Sequence, residues 1–210
     1  MKNMGAKKTA FIAMMSALGI TLSIISINAV SVLSAVGQGG AALDLSHIAT
    51  FIAAIFGGPY IGAIVGFLSG IYAGYYFGYI LGSLGLLSLI GVPFGKAMTG
   101  LVAGFLYKKL GIGNSSGRSV LAVPVTLASY VPESIYTILY FLYMAPFVVS
   151  FSMSFMIPLV IPKAWIEIAV MSLLMGALAG NVGFREFINR FFYLQKLGKP
   201  VVTRQERSER

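Results

Sequence analysis

Apolar positions along this chain run on for whole stretches and do not recur at amphipathic spacing. Six such stretches stand out, at residues 9–34, 44–56, 59–76, 84–107, 120–144 and 159–183. Several reach the roughly 20 apolar residues needed to cross the hydrocarbon layer of a bilayer. Gly57-Gly58-Pro59 is a turn signal between the second and third. The second stretch, at about 13 residues, spans only about 20 Å as a helix, and such short spans are common beside transporter binding sites. The first continues well beyond the roughly 7–15 apolar residues of a signal peptide, which makes it a retained span. The pattern predicts an all-α, polytopic membrane protein with six transmembrane helices in one domain over residues 1–190. A polar, basic tail over 191–210 is expected to be partly disordered.

Composition agrees with that pattern. Hydrophobic residues make up 58% of the 210 positions, charged residues only 10%, and mean hydropathy is +0.88. A soluble domain carries about 25% charged residues. The net charge of +9 matters through its placement. Lys2, Lys7 and Lys8 stand at the start, Lys108, Lys109 and Arg118 in one connection, and Arg185, Arg190, Lys196, Lys199, Arg204, Arg207 and Arg210 at the end. The alternate connections, at 36–43, 77–83 and 145–158, contain no Lys or Arg. Basic residues mark cytoplasmic segments, so both termini are expected in the cytoplasm of a prokaryotic cell, with the chain multi-pass in its cell membrane. Nucleic acid is not an expected partner.

Gly58, Gly62, Gly66, Gly70, Gly74, Gly78 and Gly82 recur every fourth residue. Small residues let membrane helices approach closely. A period of 4 drifts about 40° per step against a 3.6-residue turn, so the stripe winds around its helix. It predicts tight packing against several neighbours, or a flexible outer end useful for gating.

Ionisable residues within spans are costly and usually functional. Here they are Asp44, His47, Lys96, Glu133, Lys163 and Glu167. Lys96 and Glu133 stand about halfway along their spans, so an ion pair between them is expected. It would be either purely structural or the polar floor of a ligand cavity. Asp44 and His47 share one helix face, as do Lys163 and Glu167, with Trp165 between the latter two. These groups either reach water at the outer interface or form a site there. Tyr72, Tyr75, Tyr76, Phe77 and Tyr79, and again Tyr136, Tyr140, Phe141 and Tyr143, gather at the same side. They read as an aromatic belt or as a stacking wall for a flat ligand. The candidate substrate-binding set is therefore Asp44, His47, Tyr75, Tyr79, Lys96, Glu133, Tyr136, Tyr140, Lys163 and Glu167.

Catalysis is not expected. One histidine cannot build H-E-x-x-H, and the stretch Gly91 to Lys96 lacks the spacing and the Ser/Thr of a nucleotide-binding loop. With no cysteine there is no disulfide, thiol nucleophile or Cys metal site. No cofactor or metal is expected.

The chain resembles the substrate-binding S components of energy-coupling factor (ECF) vitamin transporters over most of residues 7–183. Three segments carry the likeness: Ala13-x-x-x-Ala17 after the basic start; Leu43-Asp44-Leu45-Ser46-His47-Ile48 leading into Phe56-Gly57-Gly58-Pro59 and the first repeats of the glycine stripe; and Lys96 to Tyr107. The resemblance implies six helices binding a vitamin near the external face. It also implies a separate transmembrane coupling subunit, contacted through Ala13 and Ala17, and two ATPases. Pro158 to Lys163 is similar to a segment of riboflavin-binding members, with Val160 where they carry asparagine. The histidine-bearing N-terminus of the metal-specific branch is missing. The expectation is an importer subunit for riboflavin or another ring-bearing vitamin. The alternatives are a stand-alone secondary transporter or channel for a small organic solute, or a membrane scaffold.

Overall fold

A computed structural model describes residues 2–35, 44–81, 84–112, 116–149 and 152–193, and every regular element in them is helical. The elements are α1 (Lys2–Ala35), α2 (His47–Gly57), α3 (Pro59–Tyr75), α4 (Gly85–Leu110), α5 (Ala122–Leu139), the short α6 (Ala145–Val149), α7 (Ile157–Gly180) and α8 (Val182–Tyr193). Wide π-helical turns extend α3 over Tyr76–Ile80 and α5 over Tyr140–Met144. Five of the helical segments are long and apolar enough to cross a membrane. Their outward faces carry side chains such as Phe105, Ile166 and Leu173, each more than half exposed, as lipid contact requires. The protein is an all-α polytopic membrane protein.

The second predicted span is the exception in length. Its helix begins at His47, after a turn at residues 44–46, and has 11 residues, which extends about 16 Å. It need not meet lipid along its length, because Ala49 through Ile55 are all buried by neighbouring helices. α3 follows α2 after the single residue Gly58. The described ends of the chain meet at one end of the bundle: Phe11 of α1 and Ile188 of α8 share one apolar cluster. Lys108 and Lys109 at the end of α4, and Arg118, whose guanidinium donates to the Leu110 carbonyl at 3.1 Å, stand at the end of the bundle where α4 stops and α5 starts.

The glycine stripe packs tightly, as expected, with α4 as its main neighbour. A Cβ on Gly62 would lie 2.6 Å from the Gly100 carbonyl oxygen, one on Gly66 2.5 Å from that of Lys96, and one on Gly74 2.7 Å from that of Ser88. Gly70 abuts Pro93 and Gly78 abuts Gly85. From Gly62 to Gly78 the stripe therefore packs against the main chain of α4, and Gly62 and Gly66 also touch α2, through Ala54 and Thr50. α4 follows the drift of the stripe and is its main neighbour. Gly82 lies outside the described residues.

α8 was not anticipated. It follows α7 directly, with the Asn181 side chain accepting from the Phe184 N–H at 2.8 Å to cap its first turn. Phe184 packs edge-on against Phe56, with ring centroids 5.7 Å apart. The helix runs past the expected domain end at 190 to Tyr193. Most of the predicted tail, and the connection 36–43, lie outside the described residues.

Candidate functional site

A cavity of about 420 Å³ opens between α2, α4, α5 and α7, at the end of the bundle away from Lys108 and Lys109. Its volume falls in the usual range of small-molecule sites, about 300–1,000 Å³. Eight of the ten residues expected at a binding site line it: Asp44, His47, Lys96, Glu133, Tyr136, Tyr140, Lys163 and Glu167.

Prolines precede three of the ionisable positions closely. Pro93 lies one turn before Lys96, Pro132 adjoins Glu133 and Pro162 adjoins Lys163. Each removes one main-chain hydrogen bond from its helix beside the cavity. Gly91 and Gly95 of α4 make room for the aromatic wall. A Cβ on Gly91 would meet the Tyr140 ring at 2.5 Å, and one on Gly95 the Tyr136 ring at 3.2 Å. The wall continues through Tyr136 and Tyr140, 6.1 Å apart, to Phe141.

The ionic pairing differs from the expected Lys96–Glu133 contact. Lys96, only 2% exposed, donates instead to Asp44 Oδ2 and to Ser46 Oγ. Ser46 in turn donates to Asp44 Oδ1 from its hydroxyl at 2.6 Å and from its N–H at 3.1 Å. The reason is α2. Its shortness lets the turn at residues 44–46 dip between the longer helices, where Asp44 reaches Lys96 before Glu133 can. Glu133 is held from two other directions, by the Thr99 hydroxyl and by His47 Nε2 at 3.1 Å. Asp44 and His47 thus stand side by side yet serve different helices, α4 and α5. Lys163 and Glu167 pair along α7 at 3.3 Å, as their spacing predicts.

Tyr75 and Tyr79 do not join the other eight in the cavity lining. They are about half exposed, stack on each other at 5.8 Å and face outward, away from the cavity. Phe77, in the π-turn that follows α3, reaches the cavity instead. The widened turn rotates this segment relative to the register of α3. In span three Tyr75 and Tyr79 thus face outward while Tyr72 accepts from Asn28 of α1 at 3.2 Å; in span five Tyr136, Tyr140 and Phe141 form a wall, apart from the exposed Tyr143. Trp165 is not in the cavity lining. Its N–H donates to Ser134 at 3.1 Å, and its ring meets Tyr130 edge-on at 5.3 Å, behind the wall.

Five contributors were missed from sequence: Ser46, Thr99, Tyr130, Gly91 and Gly95. Thr99 stands three residues after Lys96, and Ser46 two after Asp44, as in an Asx turn. Both spacings were available as signals. Ala13 and Ala17 are exposed on α1, on a face shared with Ala6 and Ala10. Comparison with protein-family models, curated proteins and solved structures finds no match, so the reading of this cavity rests on its own residues.

Proposed function

We propose that the chain is the substrate-binding S component of an ECF-type importer in a prokaryotic cell membrane, taking up riboflavin or another ring-bearing water-soluble vitamin. The observation that carries this reading is the cavity. It combines an aromatic wall with two ion pairs, Lys96–Asp44 and Lys163–Glu167, and a buried His47–Glu133 contact, at the end of the bundle opposite its basic groups. A scaffold gains nothing from burying six ionisable groups around an open space, since each is costly inside a membrane. With the basic end in the cytoplasm, the cavity faces outward, where a scarce solute is captured. The partner subunits are a transmembrane coupling protein and two ATPases.

Calorimetry on purified protein with a vitamin panel, together with mass spectrometry of any ligand carried through purification, tests the reading. Tight binding of one ring-bearing vitamin is expected. Failure of every vitamin, or uptake into proteoliposomes without any partner, would overturn it.

The exposed alanines of α1 supply the docking face for the coupling subunit. Replacing Ala17 with Leu or Phe should abolish co-purification with that subunit and leave ligand affinity unchanged, because the position faces away from the cavity. A normal complex from the bulky variant would show the face to be misassigned.

A further inference from the structure

Three carboxylates and two ammonium groups line the cavity. Lys96 is engaged by Asp44 and Lys163 by Glu167. Glu133 is therefore the carboxylate with no lysine or arginine beside it among the described residues. Its Oε2 is met by the Thr99 hydroxyl and by His47 Nε2. Neutral hydrogen bonds offset only part of the cost of holding an ionised carboxylate out of water.

His47 adds an independent observation. The side chain is only 8% exposed, and Nε2 points at Glu133. With the proton on Nε2, the neutral ring is left with Nδ1 as an acceptor. That Nδ1 is buried and has no hydrogen-bond partner among the described residues. Carboxylates thus outnumber ammonium groups in the lining by three to two, and the one without an ammonium partner is Glu133. Tyr130 and Tyr136 stand one turn before and after Glu133 on α5, and both line the cavity. Aromatic rings around a carboxylate favour a cation twice over, through the charge and through the ring faces.

From these contacts we infer that the ligand is a ring-bearing organic cation, with its positively charged or N–H-rich head at Glu133 and His47 and its flat body along Tyr136 and Tyr140. This rests on the reading of the cavity as a solute-binding site, and within that reading it favours a cationic vitamin over an uncharged flavin.

The test uses the full chain in lipid nanodiscs and a charge-sorted panel of ring compounds. Thiamine and 1-methylnicotinamide are the cations, riboflavin and nicotinamide the uncharged members, nicotinate and biotin the anions. Calorimetry should rank a cation tightest. Glu133→Gln should weaken that cation by roughly tenfold to a hundredfold, with the melting temperature of the unliganded protein kept. The selectivity of the unmodified chain decides the matter even if the variant fails to fold. A neutral or anionic compound binding tightest, or a cation held equally well by Glu133→Gln, overturns the cation assignment and leaves the binding-subunit proposal standing. Absence of binding by all six compounds to folded protein overturns both.

Discussion

Lys96→Met should be the most damaging single change to the polar interior, and a second substitution should repair the fold without repairing the site. Lys96 is almost wholly buried and donates to Asp44 and Ser46 together. Methionine keeps the length of the stem and removes the charge, which leaves the Asp44 carboxylate without its partner. Breaking a buried pair from one side costs about 3–5 kcal/mol. Asp44 retains 20% of its side-chain surface, so water screens part of the loss and about 3 kcal/mol is expected. Thermal or denaturant unfolding in a mild detergent measures it. The double variant Asp44→Asn with Lys96→Met removes both charges and should recover most of that stability, because an uncharged pair carries no stranded ion. Ligand affinity should stay low in both, since the floor of the cavity has lost its charge pattern. Full stability in Lys96→Met alone would show that Asp44 is satisfied without the lysine.

Gly66→Val should cost at least as much for a different reason. The added Cβ would lie 2.5 Å from the Lys96 carbonyl oxygen and 2.9 Å from its carbon. Those are main-chain atoms of α4, and they cannot rotate away as a side chain end can. α3 and α4 must separate along their shared length. Overpacking typically costs about 1–3 kcal/mol, occasionally more, and a backbone obstacle places this case at the upper end. The contact is to Lys96 itself, so the displacement also moves the lysine that closes on Asp44. A joint loss of stability and ligand affinity is expected in melting and binding measurements. Gly5→Val is the matched control, because nothing lies within 4 Å of a Cβ there. If the two variants melt alike, the stripe is not a close-packing device.

Much of the architecture was legible along the chain because bilayer physics writes it there. Long apolar runs are the only economical way to cross hydrocarbon, and each ionisable residue inside one stands out against that background. The positions of five long helices and of the six ionisable residues that line the cavity follow from this. Lys163 and Glu167 were legible as a pair as well, since both stand on one helix at a spacing its geometry dictates.

Pairings between helices were not legible. The expected Lys96–Glu133 contact assumed that similar depth means proximity, whereas partner choice depends on how each helix is rotated and on what enters between them. The turn before α2 brings Asp44 to Lys96 and His47 to Glu133, and no periodicity in residues 44–56 records how deeply that turn sits. Likewise the π-turn at Tyr76–Ile80 shifts the register of its segment, which brings Phe77 to the cavity and stacks Tyr79 on the outward Tyr75 at the end of α3.

By itself, then, the sequence determined that this is a multi-pass helical membrane protein, and which few residues had to account for their charge inside it. Hydrophobic run length and isolated charge are one-dimensional properties, so one dimension suffices to read them. Only the tertiary structure decided that α4 is the main neighbour of the glycine stripe and that Glu133 has no lysine of its own among the described residues. Both depend on helix rotation, burial depth and the approach of distant segments, which are set when the helices pack together.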